Sequence, residues 1–429
     1  VLKNAFYLEN LNTYQNINWR ENFGVGWKIT TGISFSTNKD DMNNELQDAN
    51  NQKKVITNPS FYAFKNFKLN NSAQYAQARV VLDKKLNSLN VIRFGADYFY
   101  SKEKSTYTLY DGTKFTESVT DNLESVFAEA DLFITNDLAA KVGGRVEHSA
   151  IVNKWNVAPR VSVAYKFRDN SQASFAYGLF YQNPERKYLP AVASLDFSRA
   201  AHYILQYQKI SKDRTFRVEA FYKKYTDLYK TATSPTGREV ATNNNGFGDA
   251  KGLEFFFRDK KTFKNVDYWI SYSYLDTKRD YLNYPQAITP SFAANHTAAF
   301  VIKKFVLPWK TGFNVSYNFA TGRPYYRFAY DNTQSKYVIA DAGKTINYNS
   351  MSFSVNYLPK LGKTNAKSFI VWVLGINNVL GQNQVFNYNY NNAGTRKEAV
   401  TPPSKRFIYI GCFISFGIDR TQDAINNNL

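Results

Sequence analysis

The chain has 429 residues, a mean hydropathy of −0.47 and a formal net charge of +19, yet 17% of its residues are aromatic. This polar average excludes a single apolar core large enough to hold 32 Tyr and 34 Phe. The only cysteine, Cys412, excludes an intrachain disulfide framework and a thiolate-rich metal site, and we expect it to pack as a small apolar side chain. Lysines and arginines are spread along the chain without a run or a known module, which argues against nucleic-acid binding.

Apolar runs in the sequence are short. None approaches the roughly 20 residues that a membrane helix requires, and the richest runs, 369–376 and 407–418, have the length of a strand. The first residues lack the basic start, apolar core and cleavage site of a signal peptide. We therefore expect that such a segment has been removed or that the chain begins inside a longer protein.

Apolar and polar residues alternate with a period of two from end to end. In one example, Val126, Ala128 and Ala130 share one face of a strand, and Glu129 and Asp131 share the other. The pattern predicts about seventeen strands, at 5–19, 24–36, 73–83, 90–100, 122–134, 139–148, 156–167, 171–181, 200–209, 214–227, 251–258, 267–276, 292–303, 310–320, 347–358, 368–379 and 406–418. A soluble β-sandwich is the alternative, but many of these segments persist for about ten residues, the length of a tilted membrane strand.

The links between these strands alternate in length. Short links fall at 21–23, 135–137, 168–170 and 211–213; long links fall at 37–72, 101–121, 182–199, 228–250, 277–291, 321–346 and 380–405. Short periplasmic turns and long extracellular loops are typical of outer-membrane barrels. The sequence thus predicts an all-β fold, a transmembrane antiparallel β-barrel. Because bacterial barrels have even strand numbers, the odd count predicts that Val1 is not a natural terminus.

Charged residues on the polar faces of these strands are candidates for lining a solute path. Their arginines, which we take as ligand-binding candidates, are Arg93, Arg145, Arg160 and Arg217. The alternative is that these charges pair with acids on neighbouring strands, and the interleaving of acids and bases favours it.

Tyrosines in the long links form a second candidate group. Their rings offer contact area at low entropic cost and keep a hydroxyl available for hydrogen bonds. The members are Tyr325, Tyr326, Tyr330, Tyr388 and Tyr390. An interfacial aromatic girdle or packing within the loops is the competing interpretation.

Catalytic, metal and cofactor motifs are missing from the sequence. There is no nucleophile elbow, P-loop or dinucleotide fingerprint. His148, His202 and His296 are scattered over different predicted strands, and the acidic segment 40–45 lacks the spacing of an EF-hand. We therefore predict no catalytic residue, no metal site and no cofactor, and we expect that the chain is not an enzyme.

The C-terminal third contains specific motifs. Thr-Pro-Ser-Phe at 289–292, Phe-Ala-Thr-Gly-Arg-Pro-Tyr at 319–325, Gly-Ile-Asn-Asn-Val-Leu-Gly at 375–381 and Pro-Pro-Ser-Lys-Arg-Phe at 402–407 resemble the last strands of TonB-dependent outer-membrane receptors of the Bacteroidota type. The stretch 183–189, followed by Ala-Ala-His-Tyr at 200–203, is similar to a mid-barrel segment of the same family. The resemblance covers about 180–420, and the rest matches in layout only.

This resemblance implies a barrel of about 22 strands, closed by an N-terminal plug and driven by the TonB complex. Receptors of this kind import siderophores, cobalamin, glycans or peptides across the outer membrane. It also implies contact with TonB through the plug, with outer-membrane lipid and lipopolysaccharide, and with a surface lipoprotein. Residues 1–429 would then be the barrel portion, with the plug and first strands outside this chain. A passive porin-type channel or a surface-binding barrel is the alternative.

Overall fold

The computed structural model describes residues 2–58, 60–185, 188–189, 195–233, 239–331, 333, 336–363, 368–391 and 394–416. Strands dominate these residues, and two short 3-10 helices, Ser60–Lys65 and Leu307–Trp309, interrupt them. Within the described ranges, no helix has the length and apolar character needed to cross a bilayer.

Seventeen strands belong to one sheet. They are β1 Lys3–Phe23, β2 Trp27–Gln47, β3 Phe67–Lys85, β4 Val91–Thr108, β5 Lys114–Phe133, β6 Leu138–Ser149, β7 Lys154–Lys166, β8 Ser171–Gln182, β9 Ser198–Ile210, β10 Arg214–Thr233, β11 Glu239–Asp259, β12 Val266–Asp280, β13 His296–Val306, β14 Thr311–Ala320, β17 Tyr348–Tyr357, β18 Ser368–Asn377 and β21 Phe407–Phe416. Two hairpins lie apart from this sheet, β15 Pro324–Asp331 with β16 Lys336–Lys344, and β19 Asn387–Tyr390 with β20 Lys397–Val400.

Each predicted strand corresponds to one strand of the sheet, which confirms the all-β prediction. The predicted end of the last strand, 417–418, lies outside the described residues.

The predicted extents of the long links at 37–72, 101–121 and 228–250 were wrong, because strands β2–β5, β10 and β11 continue far into these segments. Where both faces of a strand meet water, the apolar alternation stops while the backbone hydrogen bonds continue. The links 321–346 and 380–405 likewise contain the two additional hairpins.

The first compact unit comprises residues 1–162, 178–199 and 227–245. In it β1 to β6 pair in chain order, each antiparallel to the next. The register is continuous: Phe35 lies opposite Ala76, which lies opposite Tyr100. Residues of neighbouring strands therefore form rows across the sheet, and the side chains of one row lie on the same face.

The second unit comprises residues 163–177, 200–226 and 246–429. Its ladders join β11 to β12, β12 to β13, β13 to β14, β14 to β17, β17 to β18, and β18 to β21. The two additional hairpins are therefore inserted between strands that are neighbours in the sheet. A small apolar cluster of Phe305, Leu358 and Leu361 packs against Phe369 and Val371 at the opposite, short-turn end.

The sheet presents two contrasting faces. On β4 and β5, Phe94, Tyr98 and Val126 lie on one face and are exposed. Arg93 and Glu129 lie on the other face and form an ion pair. Large apolar side chains are thus exposed along the sheet rather than buried in a core, which is the arrangement expected when one face meets lipid and the other meets water.

This two-faced arrangement predicts that a charge on the apolar face is costly only within the apolar band. Val126, 56% exposed, lies in the middle of that band, whereas Ser118 is on the same face of β5 but beyond it. We expect Val126→Arg to lower the free energy of unfolding by about 2–4 kcal/mol in lipid, and Ser118→Arg by less than about 1 kcal/mol. Urea unfolding of the intact protein in vesicles measures both, and equal losses would contradict the assignment of the band.

Candidate functional site

Ion pairs occupy much of the polar face in the first unit. Arg93 on β4 bridges Asp83 on β3, at 2.6 Å from Nε to Oδ1, and Glu129 on β5. Lys28 on β2 also lies 3.0 Å from Asp83, and Lys141 on β6 lies 3.5 Å from Glu129. These charges come from five consecutive strands, so the pairing runs across the sheet. Arg93 is therefore part of a network that neutralises acids.

Arg145 on β6 has the same character. Its Nη1 lies 2.7 Å from Asp97 Oδ2 and its Nε lies 2.5 Å from Glu147 Oε1. The Phe127 ring lies beside the guanidinium, 6.0 Å from it, and it covers Gly95, where a Cβ would overlap the ring. Arg145 and Phe127 line part of an open cavity of about 620 Å³ on the polar face.

Arg160 and Arg217 differ from the other two candidates. In the part of the chain that the structure describes, neither forms an ion pair, and each lies over an aromatic ring instead. Arg160 is 4.7 Å from the centroid of Phe180 in the first unit, and Arg217 is 6.0 Å from that of Phe256 in the second. Arg217 lines a cavity of about 360 Å³. Of the four predicted arginines, these two retain a charge available to a solute.

The two additional hairpins of the second unit pack against each other. The rings of Tyr325 on β15 and Tyr388 on β19 lie 4.7 Å apart. Lys397 on β20 donates a hydrogen bond from Nζ to the Tyr325 hydroxyl at 2.7 Å, and its ammonium lies 5.0 Å from the Tyr388 ring. A Cβ at Gly343 would overlap Tyr325, so this glycine makes room for the ring. One lysine thus joins both hairpins through two tyrosines.

A second contact between the hairpins is electrostatic. The Tyr390 hydroxyl donates to Asp341 Oδ2 at 2.5 Å, and Lys397 Nζ lies 3.7 Å from the same oxygen. The Tyr390 hydrogen bond holds the pKa of Asp341 below its ordinary value, and Lys397 adds to the effect. Burial raises the pKa of Tyr390, and the neighbouring carboxylate raises it further. Arg327 lies over the Tyr390 ring at 5.8 Å.

The remaining predicted tyrosines lie on the same hairpin, β15–β16. Tyr326 donates to the carbonyl of Thr289 at 2.9 Å and stacks on Phe328 at 6.0 Å. Tyr330 is 53% exposed and contacts Tyr337 edge to face at 5.3 Å. Four of the five predicted tyrosines therefore use a ring or a hydroxyl to fix the loops, and Tyr330 presents the most open ring.

Lys397 and Asp341 were not among the predicted site residues. Their role depends on contacts between hairpins separated by about 50 residues of sequence. The one available signal was the period-two pattern of the segments 324–331 and 336–344, which marks a hairpin inside a predicted loop. Among the described residues, no group of three His, Cys, Asp or Glu side chains could hold a metal ion.

Fold and site together define an outer-membrane β-barrel with a charged inner face and structured hairpins on the rim with the long links. The family model for the β-barrel of TonB-dependent receptor-like proteins matches residues 3–379. The chain therefore belongs to the TonB-dependent receptor β-barrel family and is a protein of the bacterial outer membrane. This family comprises receptors rather than enzymes, in agreement with the expectation that the chain is not an enzyme.

Several solved structures share the fold. The outer membrane transporter YddB from Escherichia coli aligns with a TM-score of 0.71 at 13% identity, covering 95% of this chain and 63% of that one. The pyoverdine receptor FpvA from Pseudomonas aeruginosa aligns with a TM-score of 0.70 at 12% identity, covering 95% of this chain and 62% of that one. The ferric yersiniabactin uptake receptor FyuA from Yersinia pestis aligns with a TM-score of 0.68 at 13% identity, covering 96% of this chain and 62% of that one. This chain spans less than two thirds of their length. No curated protein matches it by sequence.

The contrast between paired and unpaired arginines predicts different costs of neutralisation. Arg145→Gln leaves Asp97, which is largely buried, without its closest cation, and we expect a loss of about 1–3 kcal/mol in the free energy of unfolding. Arg160→Gln removes no ion pair and is expected to change it by less than about 0.5 kcal/mol. Denaturant titration of both variants in the same lipid tests this, and equal losses would show that the pairing is unimportant for stability.

The Tyr390–Asp341 hydrogen bond predicts a dependence on pH. Because the pKa of Asp341 is lowered, this carboxylate stabilises the folded protein fully above the ordinary pKa of 3.8. The stabilisation is lost as pH falls through the lowered pKa. Because the pKa of Tyr390 is raised, the protonated phenol stabilises the folded protein fully below its ordinary pKa of 10.0. The stabilisation is lost as pH rises through the raised pKa. Ultraviolet titration of the wild type against Tyr390→Phe isolates this phenol. It should ionise at lower pH in Asp341→Asn, and an unchanged midpoint would contradict the contact.

Proposed function

We propose that this chain forms the barrel of an importer that moves a solute across the outer membrane with energy from the TonB complex. The main support for the proposal is the family match over residues 3–379. The polar inner face adds support, because Arg160 and Arg217 on it form no ion pair with a described residue and lie over aromatic rings. A hydrated, charged inner surface is suited to a polar solute. Coupling to TonB is assigned to an N-terminal plug outside this sequence, and a surface lipoprotein is a further proposed partner.

We assign solute capture to the platform formed by the two additional hairpins. Its basic groups are Lys397, Arg327 and Arg323, and the last of these donates to the carbonyl of Phe386 at 3.1 Å. Tyr330 and Tyr337 add aromatic surface to the same part of the molecule. Cations next to tyrosine rings favour a solute that carries negative charge and a flat or apolar portion.

Among siderophores, cobalamin, glycans and peptides, an anionic metal chelate of the siderophore class fits this chemistry best. Solved structures of the same fold include receptors described for pyoverdine, ferric yersiniabactin and ferric citrate, which adds support to that choice. The net charge of +19 acts in the same direction, because it attracts anions to the surface.

Uptake by a strain that lacks the gene tests the proposal. Complementation with the intact gene should restore growth on one anionic iron chelate as the sole iron source, and removal of TonB should abolish it. Growth that persists without TonB would show that the protein acts as a passive channel and not as a TonB-dependent importer. Restoration by a glycan, a peptide or cobalamin alone would retain the importer and overturn the choice of solute.

The platform itself predicts an effect of a single charge. Lys397→Gln removes the ammonium that lies against Tyr325 and Tyr388, and we expect the solute concentration for half-maximal uptake to rise about tenfold. Lys344→Gln, at the exposed end of β16 and without these contacts, serves as the matched control. Equal uptake by both variants at equal surface abundance would remove the platform from the binding site.

A further inference from the structure

The guanidinium of Arg279 lies near the end of β12, in the second unit, and is enclosed by aromatic rings. Its Cζ atom is 4.3 Å from the centroid of the Tyr225 ring, 5.5 Å from that of Phe292 and 5.7 Å from that of Tyr281. Its Nε is buried and has no hydrogen-bond partner among the described residues. Because each ring face attracts the cation, rings on several sides hold the guanidinium in one orientation.

The backbone around Arg279 adds to this preorganisation. Its amide N–H donates to the carbonyl of Ile288 at 2.9 Å, and its carbonyl accepts from the Ile288 N–H at 3.1 Å. Gly248 on β11 lies opposite Arg279, and a Cβ at that position would be 2.8 Å from Arg279 Cγ. The glycine thus leaves room for the stem of the arginine. Binding to this guanidinium therefore costs little side-chain entropy.

Arg279 carries a charge that no acid neutralises in the described part of the chain. Other arginines of the same unit are paired: Arg258 lies 2.6 Å from Asp267, and Arg214 lies 2.8 Å from Asp259. By contrast, the terminal nitrogens of Arg279 form neither an ion pair nor a hydrogen bond with any described residue. Two parallel N–H groups of a guanidinium match the two oxygens of a carboxylate. Arg279 is therefore available to an anionic ligand.

A cavity of about 500 Å³ begins beside this arginine. Phe292, one of the rings around Arg279, lines the cavity and is 55% exposed. Leu275 also lines it, and it lies on the same face of β12 as Arg279, because alternate residues of a strand share a face. The guanidinium is therefore at the border of the cavity.

The lining of this cavity is largely apolar. Ile346, Val385 and Phe386 contribute to it, together with several hydroxyl groups. Among the described residues, its one charged side chain is that of Arg323, which donates from Nη2 to the carbonyl of Phe386 at 3.1 Å. Arg323 and Phe386 directly precede β15 and β19, so the cavity lies at the base of both additional hairpins. An apolar cavity with a few fixed polar groups is typical of a small-molecule site.

The fold holds Phe292 in place. The Tyr284 hydroxyl accepts a hydrogen bond from the Ser291 N–H at 3.3 Å, and the Tyr326 hydroxyl donates to the carbonyl of Thr289 at 2.9 Å. The link that carries Phe292 is thereby tied to the hairpin β15–β16. The cavity is therefore formed by the protein alone, before a ligand binds.

We propose that this cavity binds an aromatic carboxylate, with the carboxylate on Arg279 and the ring against Phe292 and the apolar wall. An inorganic anion would leave the apolar lining in contact with water, and a neutral aromatic compound would leave the guanidinium unpaired. An aromatic acid satisfies both parts of the site. The inference rests on the proposed import of an anionic chelate, and it adds an aromatic acid as the group that the barrel recognises at the base of the hairpins.

Fluorine NMR of the purified intact protein in detergent tests the site with two probes. The probe para-fluorobenzoate carries the ring and the charge, and para-fluorobenzamide carries the same ring without the charge. Titration gives the Kd of each probe for the wild type, Arg279→Gln, Arg279→Lys and Lys303→Gln. The last is the matched control, because Lys303 lies 5.1 Å from the Trp269 ring and lines a different cavity of the same unit, of about 310 Å³.

We expect Arg279→Gln to raise the Kd of para-fluorobenzoate about tenfold. Arg279→Lys should raise it less, because lysine keeps the charge but lacks the pair of parallel N–H groups. Lys303→Gln should match the wild type. The amide probe should bind the wild type more weakly than the acid, and Arg279→Gln should leave its Kd unchanged.

An unchanged Kd of para-fluorobenzoate in both Arg279 variants would overturn the proposal, as would equal losses in Arg279→Gln and Lys303→Gln. Equal Kd values of the two probes in the wild type would also overturn it. Displacement of para-fluorobenzoate by an equal concentration of inorganic phosphate would do the same, by showing a general anion site. Heat-dependent electrophoretic mobility verifies that each variant is folded.

This binding measurement separates the cavity from the proposed import. Uptake of an anionic chelate without binding of para-fluorobenzoate would retain the importer and remove the aromatic-acid site. Binding of para-fluorobenzoate that is lost in Arg279→Gln, by a protein that restores no uptake, would retain the site and remove the importer.

Discussion

Backbone hydrogen bonding inside a bilayer is the constraint on which the rest of this structure depends. A strand in lipid must satisfy every amide and carbonyl through its neighbours, because no water is present to do so. The ladders from β1 to β6 and from β11 to β14 meet this demand in continuous register. Once the backbone is satisfied, each side chain is free to suit its own face, and that freedom explains a polar mean hydropathy together with a high aromatic content.

The sequence made the membrane part of the fold predictable and left the part in water much less so. Within the bilayer, residues such as Val126 and Glu129 meet opposite surroundings, so the period of two is visible in the residue types. Beyond it, both faces meet water and the same β2 and β5 strands show no apolar alternation. That is why 37–72 and 101–121 were taken for loops, although hydrogen-bonded strands occupy most of them.

The contacts of the candidate site also differ in how far the sequence predicts them. Pairing of Arg93 and Arg145 with acids followed from residue types on adjacent strands, because strand register brings such groups together. The link between Lys397 and Tyr325 joins residues 72 apart in sequence and depends on how two hairpins fold over each other. No local pattern encodes that contact.

A scan of single cysteines along β4, from Ile92 to Thr108, tests directly whether one face of the strand meets lipid and the other meets water. The scan uses a background in which Cys412 is replaced by serine. Nitroxide labels in the membrane-embedded protein report their accessibility to oxygen, which concentrates in lipid, and to a water-soluble nickel chelate. Alternation should run from Ile92 to Tyr100, with oxygen favoured at Phe94 and Tyr98, and labels from Lys102 onward should favour the nickel chelate. Accessibility that lacks a period of two between Ile92 and Tyr100 would contradict a membrane-spanning β4 with one lipid face and one water face.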